Sequence, residues 1–164
     1  MSRLDELIAE LCPDGVEHKE LGEIGKLIRG AGLQKKDFVD KELAKSLKKV
    51  NFGDIVIAIT SENVEDVCKC VAWLGDDEIV TGGHAAIFKH SQNPKYIAYY
   101  FQTQDFFRQK KKIATGTKVI EISPAKLAKI KIPVPPLPVQ SLQQSLQQSL
   151  QHAANNMNII VIYS

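Results

Sequence analysis

The hydrophobic positions near the start of the chain recur at helical spacing. Leu4, Leu7, Ile8 and Leu11 fall on one face of a helix, and the turn-forming residues 13–15 end the pattern. The sequence therefore predicts a short amphipathic helix here.

The middle of the chain has the pattern of short strands. Residues 55–59 are all apolar, residues 68–73 alternate, and residues 78–80 and 85–88 have the pattern of two further short strands between polar turns. Their close, hairpin-like spacing favours antiparallel pairing over a doubly wound parallel sheet. We therefore expect an α+β fold with a mainly antiparallel sheet and packed helices.

A helix, a short capped helix and a strand are predicted next. Residues 94–112 place apolar side chains at helical steps and are predicted to form one helix. Ser123 followed by Pro124 is a typical helix start. Residues 130–132 alternate as a strand, and the proline-rich residues 133–138 then form a stiff exit, because proline lacks an amide donor.

A tetrapeptide repeat occupies residues 141–152. Each Ser-Leu-Gln-Gln unit is close to one helical turn, so the leucines form a single stripe on a polar helix. Such a narrow stripe requires a partner helix, and we expect it to be a subunit-interaction surface. A polar low-complexity linker is the alternative. The predicted interaction residues are Leu142, Leu146 and Leu150.

Composition indicates the class of protein, and the absence of targeting signals indicates its compartment. The 164 residues are 44% hydrophobic and 24% charged, which is ordinary for a soluble globular protein. No signal peptide and no apolar run of membrane-spanning length is visible, so we expect a cytoplasmic protein without a membrane partner. The net charge is only +2, but residues 104–131 carry eight bases and two acids. A basic region suits a polyanion, although it also suits a solvated surface.

No catalytic or metal-binding constellation is evident. Cys68 or Cys70 paired with His84 lacks an orienting third group, and Cys-x-Cys with His90 lacks the spacing of a structural zinc site. We interpret the two cysteines as core residues on one face of a strand. The chain is therefore expected to bind no metal and no cofactor, and not to be an enzyme.

Several stretches resemble one known family. The residues are Gly116-Thr117, then Ile122-Ser123, then the run Ile130-Lys-Ile-Pro-Val-Pro-Pro-Leu-Pro-Val-Gln140. The Gly53-Asp54-Ile55 strand start, the tyrosine-rich residues 94–100 and the opening residues 21–24 extend the likeness over roughly residues 1–140. Together they resemble a target recognition domain of the specificity subunit of type I restriction–modification enzymes.

The resemblance implies a division of the chain and a set of partners. Residues 1–138 would be a DNA-binding target recognition domain, residues 139–156 a helix for subunit assembly, and residues 157–164 a tail without a family counterpart. The domain resembles a shortened one, because only residues 33–52 stand where the family has several strands. The chain would be non-catalytic, would read one half of a bipartite target in double-stranded DNA, and would dock modification subunits or pair with a second copy. Those other subunits would use S-adenosylmethionine, ATP and magnesium.

Candidate DNA-binding residues follow from the basic region and the loops of such a scaffold. Cationic side chains would hold phosphates, and polar loop residues would reach base edges. The candidates are Thr60, Ser61, Asn63, Gly82, Gly83, His84, Arg108, Lys110, Lys111, Lys112, Thr115, Gly116, Thr117 and Lys118. The alternative is a truncated remnant or decoy that retains the protein-interaction surface without reading DNA.

Overall fold

The chain combines short strands, short helices and one long helix at its end. The computed structural model describes residues 3–30 and 49–156. The helices are α1 (Arg3–Leu11), α2 (Leu21–Ile24), α3 (Pro94–Tyr100), α4 (Gln104–Ile113), α5 (Pro124–Leu127) and α6 (Leu137–Asn156). The strands are β1 (His18–Glu20), β2 (Gly25–Arg29), β3 (Lys49–Val50), β4 (Ile55–Ala58), β5 (Thr60–Ser61), β6 (Cys70–Ala72), β7 (Ile79–Val80), β8 (Ala85–His90), β9 (Ile120–Glu121) and β10 (Lys131–Pro133).

A four-stranded antiparallel sheet in the order β2-β8-β4-β6 forms the centre. Three antiparallel strand pairs, β1–β10, β3–β7 and β5–β9, surround it in the described part of the chain. The predicted α+β class and the mainly antiparallel sheet are confirmed.

Side chains alternate between the two faces of the sheet, and those on one face are buried in the core. Ile55, Ile57 and Phe88 are fully buried and belong to the same apolar cluster as Ile97 of α3 and Phe106 of α4. Burial stabilises the fold by roughly 1.5–3 kcal/mol for each large apolar side chain. The neighbouring positions on the strands face the opposite side of the sheet.

The prediction of a single helix over residues 94–112 is wrong, because two helices occupy that stretch. Thr103 begins the second helix, where its Oγ1 accepts a hydrogen bond of 3.3 Å from the Phe106 amide. Phe101 lies in the intervening turn and stacks on Phe106 with ring centroids 4.2 Å apart. A local cap and an aromatic contact therefore interrupt a periodicity that looks continuous in the sequence.

The predicted strand over residues 68–73 is shorter and begins at Cys70. Cys68 has φ of 67°, in the left-handed region, so the two cysteines do not share one face of a strand as predicted. Both nevertheless pack in or against the core, as expected. Desolvation by burial raises the pKa of each thiol to about 12.

The segment leading to the long helix follows the sequence prediction. The Ser123 Oγ accepts a hydrogen bond from the Lys126 amide at 3.3 Å, and Pro124 is the first residue of α5. Strand β10 then pairs with β1, and the proline-rich residues lead into α6. Of the connector predicted over residues 33–52, residues 33–48 lie outside the described residues, as does the tail 157–164.

The long helix α6 packs on α1 and α3, and its buried face carries Val139 together with two glutamines. Gln140 and Gln144 are buried on that face, whereas Leu142 is half-buried and Leu146 is 43% exposed. The leucine stripe therefore lies along the flank of α6, and the chain's own helices contact the glutamine face. The side chain of Leu150 lies outside the described part of the chain.

Candidate nucleic-acid interface

Three loops that are far apart in the sequence meet at one end of the central sheet. Strand β5 pairs with β9, which places Thr60 opposite Glu121. The Ile59 amide donates to the His84 carbonyl oxygen at 3.0 Å, and the Ile122 amide donates to the Ile59 carbonyl oxygen at 3.0 Å. We call residues 60–61, 82–84 and 115–119 together the strand-end surface.

The third loop is closed by backbone hydrogen bonds at its base. Thr115 and Glu121 exchange two of them, of 3.0 and 2.8 Å. Gly116 has φ of +109°, and a Cβ at this position would overlap the carbonyl oxygen of Val119. Glycine is therefore required here, and the tight turn leaves Thr117 and Lys118 exposed at its tip.

Arg29 connects the 82–84 loop to strand β9, which follows the 115–119 loop. Its guanidinium donates to the Glu121 carboxylate at 2.7 Å and to the Gly83 carbonyl oxygen at 3.2 Å. Neither Arg29 nor Glu121 was predicted to belong to the site. The available signal was Glu121, the one charged residue in the apolar residues 119–122.

Thr60 and His84 connect the first two loops directly. The Thr60 Oγ1 lies 3.1 Å from the His84 Nδ1. His84 remains exposed and Thr60 is half-buried. Both side chains therefore combine a fixed position with polar atoms near solvent, as a base-reading residue needs.

A groove of about 790 Å³ runs along the strand-end surface. Its floor is the outward face of the sheet, including Val56, Ala58 and Val71, the last of which is 63% exposed. Its polar lining comprises Arg29, Thr60, Lys69, Glu121 and residues 81–84, and the 115–119 loop adjoins it through the Thr115–Glu121 hydrogen bonds. The groove thus combines an apolar floor with hydrogen-bonding groups of fixed position.

Lys110 does not belong to this surface, which corrects the sequence prediction. The residue is only 5% exposed, and its Nζ donates to the Val67 carbonyl oxygen at 2.7 Å and to the Glu65 carbonyl oxygen at 3.1 Å. Desolvation by burial lowers its pKa. The ammonium group holds the turn formed by residues 63–67 and is turned away from any phosphate in solvent.

Asn63 is also committed to that turn. Its Oδ1 accepts from the Asp66 amide at 2.8 Å, and its Nδ2 donates to the Asp66 carboxylate at 3.0 Å. Both ends of its amide group are therefore engaged within the chain, and we do not retain it as a base-reading residue.

The remaining cationic candidates are exposed. Arg108 lies 3.7 Å from the Asp105 carboxylate, with both side chains largely in solvent. Lys111 and Lys112 lie in the last turn of α4, which leads directly into the 115–119 loop. Together with Lys118 they form no ion pair with any residue in the described ranges 3–30 and 49–156.

The described residues include no group of three metal-type side chains arranged to hold an ion. Within the same ranges, no helix combines the length and the apolar character needed to cross a membrane.

Comparison with known proteins finds a similar sequence in one curated protein. No family model matches the chain. Over 108 residues it is 32% identical to the specificity subunit of the type I restriction enzyme StySPI from Salmonella potsdam, which covers 64% of this chain and 23% of that protein. The chain is similar in sequence to part of a type I specificity subunit.

Solved structures show the same fold in type I systems. The S subunit from M. genitalium superposes with a TM-score of 0.58 at 14% identity, covering 87% of this chain and 40% of that one. The HsdS subunit from Thermoanaerobacter tengcongensis superposes with a TM-score of 0.57 at 19% identity, covering 93% of this chain and 43% of that one. A structure that concerns complex assembly and conformational transition of the type I restriction–modification system superposes with a TM-score of 0.64 at 17% identity. The match covers 94% of this chain and 44% of that one.

The chain spans less than half the length of these specificity subunits and 23% of the curated relative. The resemblance read from residues 1–140 is confirmed, as is the α+β class.

The different environments of neighbouring lysines give a stability prediction. Replacing Lys110 with Met leaves the Glu65 and Val67 carbonyl oxygens without their donor, so the free energy of unfolding should fall by about 1–3 kcal/mol. Lys111→Met, at an exposed position, should change it by less than about 0.5 kcal/mol. Urea denaturation of the two variants measures both values, and equal unfolding midpoints would contradict the structural role of Lys110.

Proposed function

We propose that this chain is a DNA sequence-recognition module of a type I restriction–modification system, reading one half of a bipartite target. The observation that carries the proposal is a groove, in a specificity-subunit fold, that is lined by Thr60, His84 and Glu121 and that adjoins the hydrogen-bonded 115–119 loop. The glycine turn at Gly116 and internal hydrogen bonds hold the loops of the strand-end surface in place, so their exposed groups are preorganised for a ligand.

The strand-end surface offers the chemical groups that base reading uses. Thr60, His84 and Thr117 can donate or accept hydrogen bonds at base edges. The apolar floor around Val71 suits contact with a thymine methyl group. We assign sequence discrimination to this groove and to the adjoining 115–119 loop.

Affinity comes from the exposed cations beside the groove. Lys111, Lys112 and Lys118 carry no intramolecular ion pair among the described residues, so contact with phosphate breaks no existing pair. Each phosphate contact releases a condensed counterion, which makes binding dependent on salt. Arg108 can contribute after leaving Asp105.

We assign to this chain recognition and assembly, and no catalysis. Methyl transfer from S-adenosylmethionine and ATP- and magnesium-dependent cleavage belong, in this proposal, to modification and motor subunits that dock on it. The flank of α6 that carries Leu142, Leu146 and Leu150 is the proposed docking surface, either for a modification subunit or for a second copy of the chain. Exposure of 43% at Leu146 supports this assignment.

Selection from a random duplex library tests the proposal. We expect the chain, alone or with its modification subunit, to enrich one short sequence, and the triple variant Lys111→Ala, Lys112→Ala, Lys118→Ala to bind more weakly. The slope of log K against log salt should become shallower by about 0.9 for each lost phosphate contact.

A matched triple variant controls for net charge. Lys126, Lys129 and Lys131 are exposed, and their segment lies by α2, where the Gly22 amide donates to the Ala128 carbonyl oxygen. Replacing these three with alanine should leave the slope unchanged. Equal slopes for both triple variants would remove the proposed lysines from the interface. Enrichment of no sequence by a chain that still assembles would favour the decoy alternative.

The docking surface gives a separate prediction. Changing Leu142, Leu146 and Leu150 to Asn removes the apolar side chains that a partner would bury, each contributing about 1.5–3 kcal/mol. Association with the modification subunit, or with a second copy, should weaken strongly in sedimentation velocity, while the sheet domain remains folded by circular dichroism. Ser145→Asn, at an exposed polar position of the same helix, serves as the control. Normal assembly of the triple variant would make the repeat a linker.

A further inference from the structure

The root of α6 contains a glutamine that is completely removed from solvent. Gln140 is 0% exposed. Its Nε2 donates to the Gln92 Oε1 at 2.8 Å and to the Pro135 carbonyl oxygen at 2.8 Å, and its Oε1 accepts from the Asn93 amide at 3.0 Å. Both amide hydrogens and the carbonyl oxygen are thus in use.

The partners of this amide lie on both sides of the junction between the domain and the helix. Gln92 and Asn93 immediately precede α3, and Pro135 belongs to the exit that precedes α6. Asn93 also caps α3, and its Nδ2 donates to the Ser141 Oγ at 3.3 Å. The same hydrogen-bond network therefore defines the start of α3 and the start of α6.

A second buried glutamine, Gln144, lies one turn after Gln140 on the same helix. Gln144 is only 7% exposed, yet its Nε2 has no hydrogen-bond partner. A buried amide without a partner destabilises a fold, whereas a fully bonded one restricts the position of the groups that it joins. The two residues share side-chain type, helix face and burial, and they differ in their hydrogen bonds.

We infer that Gln140 is a positioning residue that fixes the angle at which α6 leaves the sheet domain, so that the helix acts as a rigid arm. Backbone prolines alone stiffen the exit but leave rotation at the following bonds. Packing on α1 and α3 holds the helix against the domain, and the amide of Gln140 fixes the orientation of its root because it bonds to two separate segments of the domain at once.

The length of α6 makes the angle important. A helix of 20 residues is about 30 Å long. A swing of about 20° at its root therefore moves its far end by about 10 Å, which is roughly three base-pair steps of duplex DNA. The consequence for DNA half-site spacing rests on the proposed function, whereas the fixed angle does not.

Distances between spin labels test the inference in the full chain. One label is placed at Ser145→Cys on α6 and the other at Lys111→Cys on the domain, both exposed positions. Cys12 is changed to Ser, and the buried Cys68 and the half-buried Cys70 are retained, because both pack in or against the core and desolvation raises the pKa of each thiol.

Gln140→Met keeps the side-chain volume and removes all three hydrogen bonds. We expect its distance distribution to broaden or shift relative to the parent chain, while Gln144→Met leaves the distribution unchanged. If Gln140→Met does not fold, Gln140→Glu replaces it, because an ionised carboxylate has the same shape but cannot donate to Pro135 or Gln92. A distribution for the folded Gln140 variant identical to that of the parent would overturn the inference.

A second readout separates this inference from the proposed function. In an assembled complex that binds DNA, the Gln140 variant should tolerate altered half-site spacing while each half-site sequence remains unchanged. Failure of the parent chain to bind any DNA would contradict the proposed function and leave the label distances as a complete test of the fixed angle. Retention of the parent's strict spacing by the Gln140 variant would count against a positioning role.

Discussion

The pairing of β5 with β9 is the constraint on which the candidate site depends. These strands comprise two residues each, yet together with the Ile122–Ile59 hydrogen bond they attach the C-terminal part of the domain to the end of the central sheet. Without this pairing the 115–119 loop would have no fixed relation to Thr60 and His84. Arg29 strengthens the junction, since it bonds to Glu121 on β9 and to the 82–84 loop. At side-chain exposures of 41% and 45%, the Arg29–Glu121 ion pair contributes modestly to stability, and its main effect is on the geometry of the loops.

The domain therefore has two functional ends that share one core. The strand-end surface lies where the loops converge, and the root of α6 lies where the exit residues meet the start of α3. The apolar cluster that includes Ile57, Ile97 and Ile122 connects the two ends. Because protein interiors are close-packed, the relative position of these ends is set by the core and by the hydrogen bonds at each end. This arrangement suits a module whose task is to hold a reading surface at a defined orientation to an assembly helix.

Local chemistry accounts for what the sequence could predict. Ser123 with Pro124, the glycine at position 116 and the proline-rich exit act through their own backbone preferences, so their structural roles are visible without a fold. Lys110 illustrates the opposite case: its place in a run of three lysines indicates an exposed cation, but the carbonyl groups that capture it lie more than forty residues away. The Arg29–Glu121 pair and the Gln140 contacts were missed for the same reason. Side chains whose partners are set by tertiary packing cannot be assigned from periodicity or charge patterning alone.

The central claim is that DNA binds at the strand-end surface, and amide chemical-shift mapping during titration with a duplex tests it most directly. We expect the largest perturbations at His84, Gly116, Thr117 and Lys118. A second groove on the molecule, lined by Glu65, Gln102 and Lys110, should remain unperturbed and provides an internal reference. Perturbations concentrated in that second groove, with none at His84 or in the 115–119 loop, would contradict the account.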